Sequence, residues 1–229
     1  MSLLRVTALM AAPIASWEPL HLDGLLVACH PDTPTPTPTR STPVAELGYP
    51  PLPLVTLRAH GARLYASSAW QFPPGMRPGR EMFTKRRDAE DVESYAIPFT
   101  PSSGPGKNYQ IPIPTYETPT VSWLVLGARR GILKLLRRAR SVGAYRRQGY
   151  GQVRDWHAEE IDGDPLRVLV EGGAAARFLP RAWTRTAATT DVGACLPPYW
   201  HPGLGVERVR PGWACELTDE ARRSVEGVR

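Results

Sequence analysis

The sequence predicts an α+β protein with the element order βαββαβ, interrupted by one long insertion and followed by a smaller, irregular β-rich lobe. Three observations carry this reading. Apolar residues alternate along the first strand, two later segments carry apolar residues at helical spacing, and proline and glycine crowd residues 71–119.

The first strand rests on Leu4, Val6, Ala8 and Met10, which alternate with more polar positions as a half-buried strand does. The same opening, Arg5 before an apolar run and then small residues, imitates a secretory signal. The period of two and the helix that follows favour a strand. Residues 20–30 are expected to be that helix, with Pro19 at its start and Leu22, Leu25, Leu26 and Cys29 on one face. The Pro/Thr-rich residues 31–51 then lose a backbone donor at almost every second position in places, and read as an exposed, extended loop.

Residues 54–58 and 63–69 read as strands joined by a turn at Gly61. Residues 71–119 offer few apolar positions and form the insertion. Residues 121–126, VSWLVL, read as a buried strand. The helix after it carries Ile132, Leu135, Leu136 and Ala139 on one face and Arg130, Lys134, Arg137 and Arg138 on the other. A glycine loop over 141–151 leads to a strand at 152–158, completing the order of the ferredoxin-like fold. Beyond it one strand is expected at 166–170, within a β-rich lobe over 158–229.

Charge narrows the function. The chain has 229 residues and a net charge of +6, yet residues 118–154 hold nine Arg and Lys and no Asp or Glu. The remainder is therefore net acidic, and the positive charge is a local patch of the kind phosphate binding requires. The helix has no acid for i,i+4 pairs, and arginines at its start oppose its dipole. Both features cost stability and make sense beside an anionic ligand.

The loop SVGAYRRQGYGQ combines Gly143, Gly149 and Gly151 with Tyr145, Arg146, Arg147 and Tyr150, with Arg140 just before it. Glycines allow close backbone approach, arginines neutralise phosphate and tyrosines stack on unpaired bases. Single-stranded RNA suits this mixture better than duplex DNA.

Other chemistries find less support. GYGQVR precedes a strand, so it is not a dinucleotide fingerprint, and SGPGKN lacks the spacing of a phosphate loop. Cys29, His30, Cys195 and His201 are scattered singly, and three cysteines give no disulfide framework. No cofactor or metal is expected. No apolar run approaches the roughly 20 residues that span a bilayer, so a soluble, cytoplasmic protein without a membrane partner is expected. His21, Tyr145 and His157 are candidates for general acid/base cleavage of RNA, the rival reading.

The segments LLRVTALMAAPIASWEPLHLDGLL, VGAYRRQGYGQVRDW, RFLPRAW and CLPPYWHP together resemble the RAMP superfamily of CRISPR-associated proteins. Within it they resemble the Cas5-like subunit of type IV effector complexes, which binds the crRNA 5′ handle. The resemblance implies an RRM-related, ferredoxin-like domain over 1–157 and a partial second β lobe. It also implies a thumb, assigned to residues 71–119 with Lys85, Arg86 and Arg87 as basic contacts.

It further implies a non-catalytic subunit that holds the 5′ handle, touches a Cas7-like backbone subunit and a Cas8-like large subunit, and lies near the protospacer-adjacent motif of target DNA. Trp200 and Trp213 are candidates for subunit contacts. Some type I relatives cut repeat RNA with a Tyr/Lys/His constellation. This sequence does not match it position by position, and a metal-independent repeat endoribonuclease stays the alternative.

Overall fold

The computed structural model describes residues 2–33, 41–47, 50–85 and 109–227. Strand β1, Ser2–Met10, lies in the middle of the main sheet, and the expected alternation holds: Leu4, Val6, Ala8 and Met10 are all buried on one face. After the two-residue β2, Ile14–Ala15, helix α1 runs over Leu22–Cys29, shorter than expected at both ends. Its buried side chains are Leu22, Asp23 and Leu26, so a carboxylate shares the inward face.

Strands β3, Thr56–Ala59, and β4, Ala62–Tyr65, form a hairpin. Its turn needs positive φ at both His60 and Gly61, and they have φ of 49° and 72°. The strained His60 is held by its N–H donating to Glu220 Oε1 at 2.7 Å. The insertion contributes β5, Gly79–Lys85, and β6, Tyr109–Tyr116, paired antiparallel from Gly79↔Thr115 to Lys85↔Tyr109.

Proline in β6 fits for a geometric reason. Pro114 turns its carbonyl toward Ser16, away from β5, and Pro112 shares that side. Their missing donors therefore do not interrupt the ladder with β5.

Strand β7, Thr120–Gly127, pairs antiparallel with one edge of β1, and β8, Val153–Glu160, with the other, giving the order β7-β1-β8. Among the described residues, the outer edge of β7 meets isolated bridges, Leu54↔Gly127, Ser67↔Val125 and Gln71↔Ser122. The expected strands at 54–58 and 63–69 thus satisfy that edge at separate points while pairing mainly with each other. Between β7 and β8 lies α2, Arg129–Leu136.

One core layer packs α1 and α2 on the sheet through Leu22, Leu26, Ile132 and Leu136 against Val6, Trp123, Val125 and Trp156. The other face meets β3 and the C-terminal elements: Leu3, Leu124 and Leu126 join Leu57 of β3 and Val168, Phe178 and Trp183.

The expected strand at 166–170 is not formed. Asp164 caps a 3₁₀ turn, Pro165–Val168, by accepting from Leu166 N–H at 2.9 Å, and Pro165 suits a helical first turn. Val168 and Leu169 are both buried, which successive strand residues on opposite faces achieve only inside two-sided cores. The apolar run belongs to a tight turn.

Short strands follow: β9, Val170–Glu171; β10, Ala174–Ala175; β11, Leu179–Pro180; β12, Thr184–Ala187; β13, Asp191–Gly193; β14, Val206–Val209; and β15, Cys215–Leu217. They form three small antiparallel sheets, β9 with β10, β11-β14-β13, and β12 with β15. Helix α3, Asp219–Glu226, starts at Thr218, whose hydroxyl accepts from Ala221 N–H. No described helix is long and apolar enough to cross a membrane.

A buried ion pair joins the C-terminal elements to α1. Arg177 and Asp23 have 0% exposed side chains and meet at 3.4 Å, with Tyr199 donating to Asp23 at 2.8 Å. Arg177 also donates to the carbonyls of Tyr65, Ser67, Phe178 and Cys195. Burial pushes the Asp23 carboxyl up, opposed by Arg177 and Tyr199.

Candidate nucleic-acid interface

The basic helix is placed by its apolar stripe. Ile132 and Leu136 are buried and Leu135 and Ala139 partly so, which leaves Arg129, Arg130, Lys134, Arg137 and Arg138 exposed. After the helix, the Trp156 indole donates to the Ala139 carbonyl at 3.0 Å and fixes where the chain enters the glycine loop.

That loop is anchored at both ends. Val142 N–H donates to Gly151 at 2.9 Å, Ala144 N–H to Ala15 at 2.7 Å, and Gly151 N–H to Pro13 at 2.7 Å. Between the anchors, Tyr145 adopts φ 53° and Arg146–Gln148 make one 3₁₀ turn. Arg146 and Arg147 are exposed on this turn.

The three glycines have different reasons. A Cβ on Gly143 would stand 2.6 Å from the Ala15 carbonyl oxygen, and one on Gly151 would overlap the Val142 carbonyl. Both therefore serve the chain's own packing. A Cβ on Gly149 meets nothing closer than Gln152 Nε2 at 4.0 Å, so this glycine alone presents an open backbone. Each has positive φ.

Gly151→Ala is accordingly expected to destabilise the fold by about 2–4 kcal/mol, and Gly149→Ala by about 1–2 kcal/mol from φ alone. Thermal unfolding of both variants checks this. Equal losses would contradict the assignment.

Arg138, Arg140 and Arg146 converge with Ser141, Cys29 and His30 on an open groove of about 590 Å³ between the end of α1 and the loop. Burial pushes the Cys29 thiol up, while Arg146 and Arg138, which line the same groove, both pull it down. Arg138 is steadied by donating to the Cys29 carbonyl at 3.4 Å. Lys134 and Arg138 line a second hollow of about 440 Å³, floored by Pro51, Leu52 and Pro53.

Among the described residues, none of Arg129, Arg130, Lys134, Arg137, Arg140, Arg146 and Arg147 forms a salt bridge. Arg130, Arg137 and Arg147 stand on the surface and line neither hollow.

The tyrosines face the insertion. Tyr145 lies 4.9 Å from Phe83 and 5.6 Å from Trp17 between ring centroids, and the Tyr150 hydroxyl donates to Glu81. That hydrogen bond, with a smaller effect of burial, pushes the Tyr150 phenol up. Trp17 and Glu81 were not legible as parts of this site. A single Trp between strand and helix carries no signal that it meets a loop more than a hundred residues later. Lys85 ends β5, and Arg86 and Arg87 lie outside the described residues.

The acid/base candidates occupy different settings. His21 is buried between the rings of Phe178 and Tyr199, at 4.9 and 4.7 Å, and burial, then Arg177, holds its imidazole well below its ordinary value. His157 is exposed on β8, 3.3 Å from Asp155. Among the described residues, no three His, Cys, Asp or Glu side chains gather as a metal site would require. Trp200 is exposed, while Trp213 packs partly buried on the core.

The family model described as CRISPR type IV associated protein Csf3 matches residues 75–204. The chain belongs to the Csf3 family. The match covers more than half of the chain and includes β5 to β8, α2, the glycine loop and most of the short C-terminal strands. No curated protein matches it. The match begins after β1, β2 and α1, so it leaves out Trp17, which follows β2, and Asp23 and Cys29, which lie on α1.

Proposed function

We propose that this chain is a non-catalytic RNA-binding subunit of a type IV CRISPR ribonucleoprotein and holds the 5′ handle of the crRNA. The observation that carries the reading is the groove where Arg138, Arg140 and Arg146 converge beside an anchored glycine loop, with no Asp or Glu among its described lining residues. The guanidinium groups of Arg138, Arg140 and Arg146 around a concave surface suit a flexible polyanion, and the partly exposed rings of Tyr145 and Tyr150 in the same loop suit unpaired bases. Membership of a CRISPR type IV family makes guide RNA the polyanion to expect.

In this reading residues 1–157 form a ferredoxin-like core. The strand order β7-β1-β8 supports it, with the fourth position marked by the isolated bridges along β7. The paired arm of β5 and β6 serves as the thumb, and residues 158–229 form the second lobe. The Cas7-like backbone subunit, the Cas8-like large subunit and target DNA near the protospacer-adjacent motif are its partners in the complex.

The test is ultraviolet crosslinking in the complete effector complex, followed by peptide and RNA mapping. Peptides containing Tyr145 or Tyr150 are expected to crosslink to one repeat-derived segment at the RNA 5′ end. Crosslinks spread along the spacer, or none to this chain, would overturn handle binding.

A further inference from the structure

Trp17 is an exposed aromatic residue to which the function above gives no role. The residue is 50% exposed, which leaves a large flat ring open to solvent. Its backbone is held on both sides, with Ser16 N–H donating to Pro114 at 3.2 Å and Ser16 Oγ to the Glu18 carbonyl at 2.8 Å. One side of the indole meets Tyr145 at 5.6 Å, tilted by 56°. Tyr145 is in turn backed by Phe83 at 4.9 Å.

The ring is therefore positioned from three elements, the residues after β2, the glycine loop and the arm. It stays half open to solvent. The two residues following Tyr145 are the exposed Arg146 and Arg147.

From this arrangement we infer that Trp17, supported by Tyr145, is a stacking platform for one unpaired nucleobase. The phosphates of the same strand lie on the arginines of the loop. The inference rests on RNA being the ligand of that loop, and it adds a residue outside the basic segment. A protein partner would also cover an exposed Trp. Arg146 and Arg147, which follow its ring neighbour Tyr145 in the chain, favour an occupant that combines a flat apolar face with negative charge, which a nucleotide does.

The experiment uses the full chain, a labelled twelve-nucleotide single-stranded RNA of mixed sequence and inorganic polyphosphate as a base-free polyanion. Trp17→Ala is expected to weaken RNA binding roughly ten- to hundredfold, the range for one lost base stack, and to leave polyphosphate binding unchanged. Trp17→Phe keeps a ring and is expected to bind RNA much closer to the wild type than Trp17→Ala does.

Unchanged RNA affinity in Trp17→Ala, or equal loss for RNA and polyphosphate, would overturn the platform while leaving RNA binding by the loop intact. Failure of the wild-type chain to bind RNA would overturn both. As a measurement independent of any variant, RNA carrying bromouridine is expected to photocrosslink to the peptide that contains Trp17. Crosslinks only elsewhere on the chain would exclude the platform, and a protein crosslinked to Trp17 in the assembled complex would assign the ring to a subunit contact.

Discussion

Arg177→Met is expected to remove about 3–5 kcal/mol of folding stability, the range for breaking a fully buried ion pair from one side. The reason is what remains behind. Asp23 keeps a carboxylate at 0% exposure, held only by Tyr199 and Gly24, and the carbonyls of Tyr65, Ser67 and Cys195 lose a shared donor. An unsatisfied buried polar group costs about 1–3 kcal/mol by itself, so several act together here.

Urea denaturation of the wild type and variant checks the size. Adding Asp23→Asn to Arg177→Met is expected to recover part of the loss, because it removes the stranded charge. A loss under about 1 kcal/mol, the range of an exposed pair, would show that the network does not hold the fold.

The second large effect concerns ligand binding. Replacing Arg138, Arg140 and Arg146 together with glutamate is expected to reduce affinity for single-stranded RNA at least about a hundredfold near 0.1 M salt. Each phosphate contact on a single strand contributes about 0.7 to the slope of log affinity against log salt, so losing three lowers it by about 2. All three side chains are exposed or on an open groove, so the fold is expected to survive. Anisotropy titrations at several salt concentrations give both quantities. An unchanged slope with unchanged affinity would place the RNA elsewhere.

Some of this was legible in the sequence because it depends on neighbours along the chain. The alternation of Leu4, Val6, Ala8 and Met10 is a property of one strand, and the stripe Ile132, Leu135, Leu136 and Ala139 of one helix. The groove followed partly, since Arg138, Arg140 and Arg146 are close in sequence, but its other wall, from Cys29 to Pro31, is not. Gly143 and Gly151 were read, with Gly149, as glycines that admit a ligand's backbone, whereas the crowding that requires these two comes from Ala15 and Val142 of the chain itself.

Residues 166–170 misled because a short apolar run fits a buried strand and a buried turn equally well, and Asp164 with Pro165 decided for the turn. The Arg177 network could not be read at all. Its partners Asp23 and Tyr65 lie more than a hundred positions away, and nothing local distinguishes this arginine from those on the surface.

The anchoring of the glycine loop has one more consequence. Its frame is made by backbone bonds of Val142, Ala144 and Gly151, whereas the side chains of Arg146, Arg147 and Gln148 take no part in holding it. The frame behaves as a holder and residues 146–148 as an exchangeable cassette. If the loop binds RNA as proposed, substitutions there are expected to change its ligand preference while leaving the fold in place.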